Sequence, residues 1–227
     1  SSWGVPGSLQ LKPEITAPGG NIYSVNGAVE GGKAYENMSG TSMAAPQVTG
    51  MVAVLAQYLR ENGLVEKTGV SARHLAQSLL MSTAEPVVDG NSGSYYPVLQ
   101  QGAGLANVGS AVTVDSYVLV KDNLSGTASD GKVKAEFGDD PDCDGTYTAG
   151  FTIYNISGSA QRYNVYTDLF TQDIFADEDG QTYLDTCLTT LDAEFTYDFS
   201  DHAEIVSGFD CDVNCDGKTD ALDAQAW

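Results

Sequence analysis

The sequence predicts two folds in succession: a helix-bearing part over residues 1–108 and an all-β sandwich over residues 109–208, closed by an acidic segment at 209–227. Two changes of pattern predict this. Apolar residues at helical spacing fill 47–59 and again 71–81, whereas from about Ala111 short alternating runs rich in Val, Tyr, Phe and Thr take over, separated by Asp/Gly/Ser clusters. The last change is a run of Asp and Asn at every second position, beginning at Asp212.

The first element is a serine at the head of a helix. Residues 40–46 are Gly-Thr-Ser-Met-Ala-Ala-Pro, and the apolar run behind them continues to Leu59. A serine before such a run is most often an N-cap with small neighbours chosen for packing. The same position suits a nucleophile, because the N–H groups and dipole of a helix N-terminus favour developing negative charge. The flanking strings decide between the two. Ser1-Ser-Trp-Gly4 and Leu11-Lys-Pro-Glu-Ile-Thr-Ala-Pro-Gly19 precede the serine, and Leu79-Leu-Met-Ser-Thr-Ala84 and Gly102-Ala-Gly-Leu-Ala-Asn-Val108 follow it. In this order they resemble the landmarks of the subtilisin-like serine peptidases, with residues 40–46 as the nucleophile motif.

That resemblance implies a fold and a chemistry. The fold is α/β: residues 1–108 would be the C-terminal half of a doubly wound, mostly parallel sheet, exposing one side of a core meant to be covered. The chemistry is acyl transfer. Ser42 Oγ attacks the scissile carbonyl, a histidine oriented by an aspartate takes its proton, and the oxyanion is held by the Ser42 N–H and an asparagine, with Thr41 as a supporting hydroxyl.

In the family the aspartate and histidine precede the serine. The 41 residues before Ser42 contain neither type, so the resemblance places both partners upstream of this chain, and negligible turnover is expected of the chain alone. The oxyanion asparagine is expected upstream as well, since Asn21, Asn26 and Asn37 sit in no motif. Of the two histidines, His74 falls in the first turn of a helix that Ser71 should cap, with Leu75, Leu79 and Leu80 on its apolar face. His202 stands far downstream, and neither has triad spacing. Gln47 occupies a place where many members carry a histidine that is not part of the triad.

Beyond Ala111, residues 112–120, 132–137, 147–154 and 162–170 each read as a strand with one buried face, with turns at 129–131 and 156–158. Strands so spaced predict an antiparallel sandwich. Its place directly after Gly102-Ala-Gly-Leu-Ala-Asn-Val108 resembles the fibronectin-type-III-like domain that follows the protease domain in lactocepin- and C5a-peptidase-like cell-envelope subtilases.

The acidic segment predicts a calcium site. Asp212, Asn214, Asp216, Asp220 and Asp223 occupy loop positions one, three, five, nine and twelve, with Gly217 at the sharp turn and the Lys218 carbonyl at position seven, which is the ligand spacing of an EF-hand-type Ca²⁺ loop. The alternative is an acidic solvated turn. With Asp at position twelve, the loop resembles one repeat of a type I dockerin, which implies a cohesin-like partner. Residues 140–145 begin the same way but place Phe151 at position twelve, and read as a β-turn.

A formal net charge of −21 with only ten Lys and Arg excludes nucleic acid and anionic membranes as partners, since both need clustered cations. No run of eighteen apolar residues predicts a membrane span. The four cysteines, Cys143, Cys187, Cys211 and Cys215, allow three disulfide connectivities and have no zinc-site spacing. The sequons at Asn37, Asn123 and Asn155 read as chance. The location implied by the resemblance is extracellular, secreted or on the cell wall of a bacterium. Two functions follow: a serine endopeptidase acting on protein or peptide substrates, and a non-catalytic calcium-binding scaffold or adhesion module derived from one. The intact nucleophile motif favours the first.

Overall fold

The computed structural model describes residues 10–27, 31, 34–91, 93–120, 133–137, 145–164 and 170–190. The chain divides into two compact units, Ser1–Tyr154 and Asn155–Trp227. The calcium loop expected at 212–223, His202, Cys143, Cys211, Cys215, the turn at 129–131 and the Ser1-Ser-Trp-Gly4 segment lie outside the described residues.

In the first unit, a hairpin of β1 (Ile22–Val25) and β2 (Tyr35–Met38) leads into the long helix α1 (Thr41–Glu61). A short α2 (Leu64–Thr68), then α3 (Ala72–Ser82), α4 (Val98–Gln101) and α5 (Val108–Thr113) follow, and β3 (Ser116–Val120) pairs with β4 (Phe151–Asn155). Helix α3 forms as its sequence predicts. Ser71 Oγ accepts the His74 N–H at 3.3 Å and caps it, and Leu75, Leu79 and Leu80 are buried. Leu55 and Leu59 of α1 and Ala111 of α5 complete this core, in which α1, α3 and α5 pack on one another and α3 lies against β3. Ser78, fully buried, joins helix to strand: its hydroxyl donates to the Val118 carbonyl at 2.5 Å and accepts the Val118 N–H at 3.2 Å.

Helix α1 is apolar on more than one side, a pattern that calls for cover all round. It buries the Leu55 and Leu59 stripe and leaves Val52 and Val54 exposed.

A parallel bridge joins Thr16 to Leu105. Leu105 also bridges Glu85 in the antiparallel sense, so the segment around Leu105 is clasped from both sides. Thr16 N–H donates to Gly104 O and Ala106 N–H to Thr16 O, each at 2.8 Å. Gly102 and Gly104 are required here. At φ +63° and +116° they adopt conformations that favour glycine, and a Cβ would run into the Glu14 backbone and the Glu85 carbonyl respectively. Buried Gln101 ties the loop before them, accepting the Val87 N–H at 2.6 Å and donating to Tyr96 O at 2.5 Å.

The strand expectations need correction in four places. Val112 and Thr113 are helical rather than extended, because Asn107 Oδ1 caps the Ser110 N–H at 3.1 Å and starts a turn that the β-branched residues then follow. Residues 133–137 form no strand; their charged side chains bond the Leu11 backbone, with Lys134 Nζ donating to Leu11 O at 2.5 Å and Glu136 accepting the Leu11 N–H at 2.8 Å. In 147–154 only residues from Phe151 onward are strand, and 162–164 have no regular structure.

In the second unit, β5 (Phe170–Ala176) and β6 (Thr182–Thr190) form an antiparallel hairpin with an irregularity between Gln172 and Ile174. Asp177 Oδ1 accepts the N–H groups of Asp179 and Gln181 at 3.0 and 2.8 Å and shapes the turn. The sequence reading places no strand on β6.

Tyr117 of β3 supplies a test of the packing. It is 2% exposed, and its ring stacks on Tyr154 at 4.8 Å. Burial pushes its phenol above the ordinary 10.0, Tyr154 adds to this, and a Thr68 hydrogen bond opposes it. A raised folded-state pKa means that this stabilisation is complete below the unfolded value and is lost as pH climbs through the folded one. Tm should therefore fall more steeply above about pH 10 than below it, and Tyr117→Phe should flatten that fall. Parallel curves for the two proteins would assign the alkaline transition to another group.

Candidate active site

Ser42 is the second residue of α1. The helix starts at Gly40, which offers no side-chain cap, and no acidic residue stands in the first turn. The positive end of the helix dipole and the leading N–H groups therefore meet no carboxylate of their own helix. Ser42 itself is exposed. Pro46, four residues on and inside the helix, has no N–H with which to bond the Ser42 carbonyl, so the backbone at Ser42 is held less by its own helix than a mid-helix residue would be.

What holds it instead is the turn that precedes β1. Gly40 N–H donates to Gly19 O at 2.8 Å, and Asn21 N–H donates to Ser39 Oγ at 2.8 Å. A Cβ on Gly19 would stand 2.7 Å from Gly40 O and 3.1 Å from the Ala44 Cβ. Two backbones thus approach at a distance only glycine permits, and the Ala-Pro-Gly turn fixes where α1 begins.

The hairpin register supplies the wall opposite Ser42. Ile22 pairs with Met38 and Ser24 with Glu36, while Tyr23 pairs with Asn37 and Val25 with Tyr35. With a period of two, Ile22, Ser24, Glu36 and Met38 share one face and Tyr23, Val25, Asn37 and Tyr35 the other. The first set, with Val25 and Asn26 at the strand end, lines a cavity of about 270 Å³ whose other wall is Ser42, Met43, Pro46 and Gln47. On the second face Tyr23 and Tyr35 stack at 5.6 Å. Asn26 Nδ2 donates to Glu36 Oε2 at 2.5 Å and fixes that carboxylate.

A second, more open depression of about 590 Å³ lies around Ala17, Gly19, Gly20, Gly40 and Thr41. Ser42 and its neighbour Thr41 therefore line different hollows at the head of one helix. His74 lines neither. Its Nε2 is 2.6 Å from the guanidinium of its neighbour Arg73. Among the described residues no group of three His, Cys, Asp or Glu could hold a metal ion, and the expected calcium ligands Asp212, Asn214, Asp216, Lys218, Asp220 and Asp223 lie outside those residues. Glu36 and Asn26 belong to no sequence motif; only the hairpin register brings them to Ser42.

Similarity to known proteins follows the same stretch. The family model described as the Subtilase family matches residues 1–138. A C5a peptidase of Streptococcus pyogenes is 38% identical over 125 residues, covering 55% of this chain and 10% of the relative. A PII-type and a PI-type proteinase of Lactococcus lactis subsp. cremoris are each 32% identical over 184 residues, covering 74% of this chain and 9% of theirs. The chain spans about a tenth of the length of these curated relatives.

Proposed function

The chain belongs to the subtilase family, and from that premise we propose that it is part of a secreted serine endopeptidase that hydrolyses peptide bonds of protein substrates with Ser42 as nucleophile. The observation that carries the reading is the exposed Ser42 at an uncapped helix N-terminus whose start is pinned by Gly19. Ser42 Oγ adds to the scissile carbonyl and gives up its proton to a histidine. The tetrahedral oxyanion forms beside the first-turn N–H groups, with the Thr41 hydroxyl in support. The histidine then protonates the leaving amine, and water hydrolyses the acyl-enzyme by the same steps in reverse roles. The aspartate, the histidine and an oxyanion asparagine come from sequence upstream of Ser1, as the family's chain order requires.

The same upstream sequence would cover the exposed Val52 and Val54 side of α1 and complete a doubly wound parallel sheet. Residues 109–208 would follow as a fibronectin-type-III-like sandwich that helps position substrates. The names of the relatives, a C5a peptidase and two proteinases, support a protein substrate, and their organisms a bacterial source; an extracellular or cell-wall location is part of the same proposal. No helix among the described residues is long and apolar enough to cross a membrane. Labelling of the full-length protein with a fluorophosphonate tests the assignment. The adduct is expected on Ser42 by mass spectrometry, and an adduct elsewhere, or none, would overturn it.

Residues 212–223 are proposed to bind one Ca²⁺ through Asp212, Asn214, Asp216, the Lys218 carbonyl, Asp220 and Asp223, with a Kd of about 10⁻⁴ M or tighter, as in extracellular modules. The dockerin-like spacing extends this to a cohesin-like partner. Calorimetric titration should show heat that Asp212→Ala with Asp223→Ala removes; an unchanged isotherm would leave an acidic turn.

A further inference from the structure

The geometry points to Glu36 as a specificity-determining residue: the cavity beside Ser42 takes a lysine or arginine side chain from a substrate residue next to the scissile bond. This rests on Ser42 being the nucleophile.

Among the described residues that line the cavity, Glu36 is the charged one. The hairpin register puts it on the same face as Met38, two positions further from the helix, which is about 7 Å along a strand. A side chain entering beside Ser42 therefore passes Met38 and Pro46 first and reaches the carboxylate at the far end. Lysine and arginine match that sequence of surfaces, with an apolar stem of three or four carbons and a cation at its tip. An acidic side chain would be repelled, and an aliphatic one would fill the apolar part and leave Glu36 without a partner from the substrate. Asn26 holds Glu36 Oε2 from the side, and the second carboxylate oxygen can accept from the incoming cation. A whole-chain charge of −21 adds a field that draws cationic segments toward the molecule.

The test uses the full-length protein and two sets of internally quenched peptides, in which Lys, Arg, norleucine, Gln or Glu is placed on the acyl side or on the amine side of the cleaved bond. On one of the two sides, kcat/KM for Lys and Arg should exceed that for norleucine by about five- to tenfold, a scale set by a partly exposed charged hydrogen bond, and the preference should shrink as salt is raised. Glu36→Gln, which keeps the Asn26 contact, should bring that ratio close to one. Glu36→Lys should turn it toward Glu. A ratio near one in the unmodified protein, or a preference that survives Glu36→Gln, would overturn the assignment while leaving the nucleophile in place, because fluorophosphonate labelling of Ser42 is read independently. Absence of both cleavage and Ser42 labelling would overturn the underlying reading and this one with it.

Discussion

Ser42→Ala in the full-length protein is expected to lower kcat for peptide hydrolysis by roughly 10⁴- to 10⁶-fold, the range that loss of one triad member spans in subtilisin, a member of the same family, with loss of the serine at its upper end and a much smaller change in KM. The size follows from what a single oxygen does there. Removing it takes away the covalent route and leaves only whatever the helix N-terminus and substrate binding contribute to attack by water. The fold should survive, since Ser42 is exposed and alanine is the best helix former; Tm within about 2 °C of the unmodified protein would separate loss of chemistry from loss of structure. A decrease of tenfold or less at unchanged Tm would mean that another group performs the attack. Residues 1–227 purified alone should behave like the variant, turning over peptide esters at no more than a trace rate, because the 41 residues before Ser42 bring neither histidine nor aspartate.

Gly104→Ala is expected to cost roughly 3–5 kcal/mol, which for a unit of this size is about 10 °C or more in Tm. Two penalties add. At φ +116° a residue with a Cβ is strained by about 1–3 kcal/mol. The new methyl would also meet the Glu85 carbonyl and lie 2.7 Å from Pro86 N, all backbone that has no rotamer into which to retreat. Glu85 and Leu105 exchange both of their N–H···O bonds, at 3.0 and 2.7 Å, so moving one strand aside breaks that pair and loosens the Thr16 bridge behind it. A loss in Tm below about 3 °C would show that the 85–86 segment yields. Thermal unfolding followed by circular dichroism is sufficient to decide.

How much of this was legible depended on whether the cause was local. The start of α1 could be read because Gly40, Pro46 and the apolar run leave few other conformations for residues 40–59. The Ser71 cap and the buried Leu75, Leu79 and Leu80 followed from helical periodicity in the same way. Val112 and Thr113 misled because their β-branching is a weak preference, whereas the Asn107 cap five residues earlier commits the backbone to a turn. Residues 133–137 alternate like a strand, yet Lys134 and Glu136 are engaged by Leu11, well over a hundred residues away, a partner no window of sequence contains. The wall of the Ser42 cavity was invisible for a related reason. Nothing in Asn26 or Glu36 announces the other; a hairpin of one particular register puts them together, and a slip of one residue would have turned Glu36 away.

The bridge between Thr16 and Leu105 also has a consequence in time. A ribosome adds about 5–20 residues per second, so the partner of Thr16, 89 residues further on, emerges on the order of 4–18 s later. Until then the segment that ends in Gly19 has no neighbour at Gly104 or Ala106, and the turn that receives the Gly40 N–H is attached to nothing behind it. The serine is synthesised early and seated late. If Ser42 is the nucleophile proposed above, a nascent chain would carry it for several seconds before its seating is complete.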